Sequence, residues 1–244
     1  MRVAVVADVH ANVEGLGAVL RHAESGGHLD AVWCLGDIVG YGPEPGAVIE
    51  ALGAWPLTAV AGNHDLAAAG LMDVGEFNLP AASAALWTRD QITDDQRAFL
   101  AGLPLTRTAG DFALAHGSLR DPAWEYLLTP EQADAQFALQ ATRWSLVGHS
   151  HLPLWFDERP GRGAATHRAA DGAMLHLDDR RRILNPGSCG QPRDGDPRAA
   201  YMLMDDTAAT VTWHRVAYDI TATQTKMRAA GLHPWLIERL AEGR

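Results

Sequence analysis

Five apolar runs in this chain each end in an acid, an amide or an imidazole, and that recurrence limits the possible folds more than any other feature. "VAVVADVHAN", residues 3–12, passes from Val3, Val5 and Val6 into Asp8, His10 and Asn12. "DAVWCLGD" ends in Asp37 and "PLTAVAGNHD" in Asn63, His64 and Asp65, while "DFALAHG" delivers His116 and "WSLVGHSH" delivers His149 and His151. Short apolar runs bounded by glycine and polar residues read as strands buried on both faces. Open α/β sheets bind ligands in the crevice beyond the carboxyl ends of their strands, so strands sharing a sheet would gather these polar groups there. In extended chain, residues i and i+2 project to the same side. Asp8 with His10, and His149 with His151, are therefore expected to face one ligand, with Gly36, Gly62, Gly117 and Gly148 leaving room for tight turns.

Between the runs, Val13, Leu16, Val19, Leu20 and Ala23 recur at helical spacing before Gly26-Gly27, and a second helix is expected over Ala47 to Leu52. The β-α-β-α-β order predicts a parallel sheet with crossover helices. The middle is helix-rich, with capping boxes at Thr93–Gln96 and Thr129–Gln132 and Pro130 at a first helical position. From about Pro153, "AMLHL", "RRILN", "AYMLM" and "ATVTWHRV" predict short antiparallel strands, followed by two helices, the first stopped at Gly231.

Length and composition bound the answer. At 244 residues with 47% apolar and 20% charged positions, the chain fits one globular domain spanning 1–244. No run approaches the roughly 18 apolar residues of a membrane span, and no signal peptide precedes the first strand, which predicts a cytoplasmic protein without a membrane partner. A net charge of −10 argues against nucleic acid as a partner. Lys226 is the single lysine, so a phosphate-gripping cation must be an arginine. The two cysteines, Cys34 and Cys189, suggest neither a disulfide framework nor a zinc ribbon.

Each polar cluster alone is weak, because His116 by itself reads as a hydrogen-bonded core histidine and "GNHD" as a turn. Their joint recurrence at strand ends points to metal. Carboxylate, imidazole and amide donors without thiolate suit manganese, iron or zinc, and seven donors exceed what one tetrahedral ion needs, so two divalent metal ions are expected.

In order, Asp8-x-His10, Gly36-Asp37, Gly62-Asn63-His64-Asp65, His116 and Gly148-His149-Ser150-His151 resemble the motif series of the calcineurin-like metallophosphoesterases. The small size, "GHSH" and "NPGS" at 185–188 resemble the small bacterial and archaeal phosphodiesterase branch. The resemblance implies a four-layer αββα sandwich, in which two mixed β-sheets are flanked by helices and carry a dimetal site at one end. It assigns Asp8, His10 and His151 to one ion, Asn63, His116 and His149 to the other, and Asp37 to both. It also places His64 against substrate as the protonated catalytic acid. Asp65 would orient a histidine or cap the turn. Protein-phosphatase relatives carry an acid and an arginine three and four places after the bridging aspartate. Gly40 and Tyr41 stand there instead, which favours a phosphodiesterase for a small phosphodiester or nucleotide, by in-line attack of a hydroxide held between the metals. The alternatives are a phosphomonoesterase, a dinucleoside polyphosphate hydrolase, or a scaffold that keeps the fold and only binds. Asn63, His64, Arg120 and Arg193 are the candidate substrate contacts, the two arginines otherwise reading as solvated loop residues. Tyr41, Trp124 and Tyr126 either stack on substrate or pack.

Overall fold

The structure, a computed structural model, describes residues 1–244. Strand β1 (Arg2–Val6) alternates its apolar side chains between two cores, because successive residues of a strand face opposite ways. Ala4 and Val6 join Leu16, Val19, Leu20 and Ala23 of helix α1 (Val13–Ser25) and Val48 and Leu52 of α2 (Pro45–Gly53). Val3 and Val5 face the other way, into a second core built with residues of another sheet.

The first sheet contains β2 (Ala31–Cys34), β3 (Leu57–Ala59), β9 (Met174–His176), β11 (Ala199–Asp205) and β12 (Thr210–Val216) alongside β1. Its order is β3-β2-β1-β11-β12-β9. β1 pairs parallel with β2, β2 parallel with β3, and β11 joins antiparallel on the far side of β1. The second sheet runs β4-β5-β6-β10-β7-β8. It is built from β4 (Thr106–Ala109), β5 (Phe112–Ala115), β6 (Trp144–Leu146), β7 (Pro153–Asp157), β8 (Ala165–Arg168) and β10 (Arg182–Pro186). Here β5, β6 and β10 are mutually parallel and the outer pairs antiparallel.

Trp33, Leu35, Met202, Met204 and Trp213 of the first sheet pack face to face with Phe112, Leu114, Trp144, Leu146 and Leu184 of the second. On the outer face of the second sheet, α6 (Pro130–Phe137) buries Ala133 and Phe137 against Leu154, Phe156 and Ile183. The result is helix, sheet, sheet, helix: the expected αββα sandwich of two mixed sheets. α7 (Ile220–Ala229) and α8 (Pro234–Glu242) pack with α4 (Leu79–Gln91) through Met227, Leu236, Leu240, Ala81 and Ala84.

The two capping boxes form as expected at Thr93, before α5 (Asp94–Ala101), and at Thr129, before α6. α2 begins two residues ahead of the expected Ala47, because Pro45 takes the first turn, where a missing N–H costs nothing. The exposed strand β4 has no apolar face to betray it, and the sequence pattern did not single it out. No helix is long and apolar enough to cross a membrane.

Candidate metal centre

The strands deliver the polar residues to one end of the sandwich, but not in extended backbone. β1 ends at Val6, and Asp8, His10, Asp37, His149 and His151 all have φ between 48° and 63°. The expectation that i and i+2 converge because the chain is extended is therefore corrected. The paired side chains converge because each motif turns through the left-handed region. For a residue with a Cβ that conformation costs about 1–2 kcal/mol, and it persists only where surrounding bonds enforce it. Those bonds are present: Asp8 N–H donates to Gly36 O (3.1 Å), His10 N–H to Asp37 O (2.9 Å) and Gly148 N–H to His116 O (2.8 Å). His149 N–H donates to the Asp8 carboxylate (3.2 Å).

Two clusters result, Asp8–His10–His151 and Asp37–His116–His149, all buried, and each has donor atoms lying within 4.8 Å of one another. The Asp37 Oδ2 atom sits 3.6 Å from His10 Nε2 and 3.4 Å from His116 Nε2, so this one carboxylate touches both clusters. His151 Nε2 lies 3.4 Å from Asp8 Oδ1. Asn63 is buried beside them with Oδ1 unpartnered, and Asp8 Oδ2 is unpartnered too.

Backbone carbonyls fix the tautomers, since a carbonyl only accepts. Nδ1 of His10, His116 and His151 donates to Val39 O (3.2 Å), Leu35 O (2.8 Å) and Gln191 O (2.5 Å). His149 is reversed, with Nε2 donating to Trp124 O (3.0 Å). Each ring thus aims its other nitrogen inward, as metal-ligating histidines do. His10 Nε2 and His151 Nε2 face each other at 3.3 Å, and His116 Nε2 and His149 Nδ1 at 3.1 Å. Two donors bound at about 2.1 Å from one cation stand roughly 3.0–3.4 Å apart, so the spacing fits.

Burial pushes His10 and His151 well below the usual imidazole range and His149 to about 3, leaving all three rings neutral. Burial also works against charge on His116, but the Asp37 carboxylate outweighs it and lifts that ring to about 9. Burial raises Asp8 to about 7, whereas in Asp37 the cost of burial is overcome by His116, His64 and His10 and the group stays ionised. Such a site holds either protons or cations, and cation binding displaces the protons.

Asn63, His64 and Asp65 form the first turn of α3 (Asn63–Ala69), capped by Gly62. A Cβ at Gly62 would collide with the Asp37 carboxylate, so only glycine lets this helix start so close. His64 N–H donates to Asp37 Oδ1 (2.9 Å). Its ring is packed by Tyr41 (4.2 Å between centroids) and Phe77 (5.0 Å), and burial lowers its pKa to about 4. The expected protonated His64 is thus neutral here at pH 7. Nδ1 is buried and unpartnered, which leaves Nε2 as the nitrogen that reaches the cavity. A Cβ on Gly40 (φ 86°) would lie 2.5 Å from His64 Nδ1, so this backbone cannot accept the acid that pairs with histidine in the protein-phosphatase pattern. Asp65 contacts no histidine; its carboxylate caps Gly62 N–H (3.0 Å) and holds Val39 N–H (3.1 Å).

A cavity of about 190 Å³ opens over the clusters, lined by Arg193, Asn63, His64, Tyr41, Trp124 and Tyr126. Arg193 lies against the Tyr41 ring and bonds Gln191 Oε1 (2.9 Å), with Nε buried and unpartnered. Arg120 is a correction. Its guanidinium pairs with Glu125 and does not line the cavity, because Ser118 and Glu125 fold the loop back on itself. Sequence reasoning missed Glu76, Phe77 and Asn78, which line the cavity from a 3₁₀ turn (Val74–Glu76) and the α4 cap. No pattern marked them. It also left "NPGS" without a role. Asn185 Nδ2 donates to Gly148 O (2.7 Å) and Ser150 Oγ (3.1 Å), and Ser188 Oγ donates to Asp8 O (2.8 Å), so the segment buttresses two of the site loops.

Sandwich and paired clusters together define a metallophosphoesterase. Residues 1–208 match the calcineurin-like phosphoesterase superfamily domain, and the chain belongs to that family. It is 35% identical to the uncharacterized protein MJ0912 of Methanocaldococcus jannaschii, over 99% of this chain and 98% of that one. Among solved structures it resembles a metallophosphoesterase from Sphaerobacter thermophilus, with 42% identity, a TM-score of 0.91, and 100% and 99% of the two chains covered. The hypothetical protein PH1004 from Pyrococcus horikoshii OT3 shares the fold at 22% identity and a TM-score of 0.81, covering 100% of this chain and 98% of that one.

Proposed function

We propose that this chain is a dimetal-dependent phosphodiesterase for a small phosphodiester or nucleotide, working as one domain over residues 1–244. The observation that carries this is the gathering of four buried imidazoles, each with a proton tied to a carbonyl, into two clusters, Asp8–His10–His151 and Asp37–His116–His149, with the Asp37 carboxylate within reach of both. Asp8, His10 and His151 would hold one cation, Asn63, His116 and His149 the other, and Asp37 would serve both. The donor chemistry suits manganese, iron or zinc. Two such cations would lower the pKa of water and neutralise phosphoryl oxygens.

The chain's own residues supply the rest. Arg193, which lines the cavity, meets the remaining phosphoryl charge. Asn63 lines the cavity beside it. His64 donates from Nε2 to the leaving oxygen. The negative charge of a bound phosphoester opposes the burial that depresses the ring and favours the protonated form that an acid needs. Tyr41 and Phe77 keep water from its flanks. A full donor set counts against a scaffold that only binds, and a cavity of about 190 Å³ counts against a dinucleoside polyphosphate. Free, buried Cys34 and Cys189 suit a reducing compartment such as the cytoplasm.

The test is a panel of diesters, nucleotides and monoesters offered to metal-reconstituted protein, with Asp37→Asn as control. Diester hydrolysis that the control abolishes, with both metals lost from it, is the expected result. Preference for monoesters refutes the diesterase assignment. Activity undiminished in Asp37→Asn refutes the site.

A further inference from the structure

The cavity is polar and cationic on the side of the clusters and Arg193, but its other wall has a different chemistry. Glu76 lines it and is the one carboxylate there besides Asp37. It is solvent-exposed and makes no ion pair and no hydrogen bond, and the Arg193 guanidinium bonds Gln191 rather than Glu76. A lone carboxylate facing a site for an anion opposes binding, unless the substrate brings a positive charge of its own.

The rings beside Glu76 favour such a charge. Phe77 and Trp124 meet at 67° with centroids 4.9 Å apart. Trp124 stands at 80° to the His149 ring, and Tyr126 lies nearly flat on that ring (3.9 Å, 17°), so Tyr126 is steep to Trp124 as well. Three electron-rich rings lining one wall beside a carboxylate are the composition with which aromatic cages bind alkylammonium groups. Sandwiching a flat nucleobase takes parallel faces, and reading its edge takes a donor–acceptor pair. These rings are not parallel, and Asn78 has already committed Oδ1 to capping α4 through Ala81 N–H (3.0 Å). A volume of about 190 Å³ also suits a phosphoryl group with a short arm and is below the roughly 300–1,000 Å³ of sites for larger ligands.

We propose that Glu76, Phe77, Trp124 and Tyr126 form a subsite for an alkylammonium arm, so that the preferred substrate is a zwitterionic phosphoester in which a short chain joins phosphate to a quaternary or primary ammonium. This specificity presupposes the phosphoesterase activity proposed above. The phosphoryl group lies toward the clusters and Arg193, and the ammonium lies in the cage against Glu76.

The test pairs two diesters that share a leaving group and a shape, p-nitrophenyl phosphocholine and p-nitrophenyl 3,3-dimethylbutyl phosphate, where carbon replaces nitrogen. In manganese-loaded protein the choline ester should have a kcat/KM about tenfold higher, and Glu76→Gln and Trp124→Leu should each bring the ratio close to one. Choline alone, titrated by saturation-transfer NMR, should bind the wild type more tightly than Glu76→Gln. Equal kcat/KM for the two diesters in the wild type overturns the cage while leaving the phosphoesterase standing. Choline binding that depends on Glu76, with no ester cleaved, keeps the cage and sinks the activity. Tighter inhibition by adenosine monophosphate than by phosphocholine, lost in Trp124→Leu, gives the wall to a base and overturns the ammonium assignment.

Discussion

Asn185→Ala tests whether the strained loop at His149 and His151 is enforced from behind. Asn185 is 1% exposed and its side chain makes three hydrogen bonds. Two donate to Gly148 O (2.7 Å) and Ser150 Oγ (3.1 Å), and Oδ1 accepts from Gly187 N–H (2.8 Å). At about 1 kcal/mol each, plus the cost of leaving Gly187 N–H buried and unpaired, the loss comes to about 4 kcal/mol. For a chain of this size each kcal/mol lowers Tm by about 2–4 °C, so a fall of roughly 8–16 °C is expected. His149 and His151 sit at φ 63° and 59°, and a loop free to relax toward ordinary backbone swings both imidazoles away from their clusters. Loss of a supporting partner typically weakens metal affinity about 10–100-fold. Differential scanning calorimetry and elemental analysis of the purified variant read both effects. Asn185→Asp, which sets a buried carboxylate oxygen against Gly148 O, should fall at least as far. A Tm within about 2 °C of wild type together with full metal content would refute the clamp.

His64→Ala should retain both metals by elemental analysis while losing about 10²–10⁴ of turnover, the span typical of a positioned acid. Gly40→Ala forces a Cβ to within 2.5 Å of His64 Nδ1 at φ 86°, and should lower kcat with metal content intact; an unchanged kcat refutes the packing argument. Metal-stripped protein should be most stable near pH 6.5–7. Below that, neutral His64 and His149, depressed to about 4 and 3, lose their contribution as the pH falls from 6.5, and His10 and His151 act in the same direction. Above it, His116, raised to about 9, loses its contribution as the pH rises through that value, and Asp8 and Asp65, raised to about 7, have already lost theirs. A series of Tm values from pH 4 to 9 checks this, and a maximum at either end refutes it.

The residues of the centre were legible because each ends an apolar run, and strand order carries such ends to one edge. Their geometry was not. Asp8 and His10 alternate as strand residues do, yet both are left-handed, and what enforces that is long-range: Gly36 O and Asp37 O, some 28 positions away, accept their N–H groups. Spacing within one segment cannot report a bond to another. The same reason separates the two arginines. Arg120 and Arg193 look alike in sequence, each just past a motif, but Glu125 five residues on captures Arg120 while Gln191 turns Arg193 inward over Tyr41. Glu76, Phe77 and Asn78 carry no periodic signal because they belong to a 3₁₀ turn and a helix cap, where position is set by what α3 and α4 pack against. In this fold the chemistry common to the family is written at strand ends and can be read from the chain. The wall that faces the rest of the substrate is assembled from connections, and it is there that the substrate preference of this chain is to be sought.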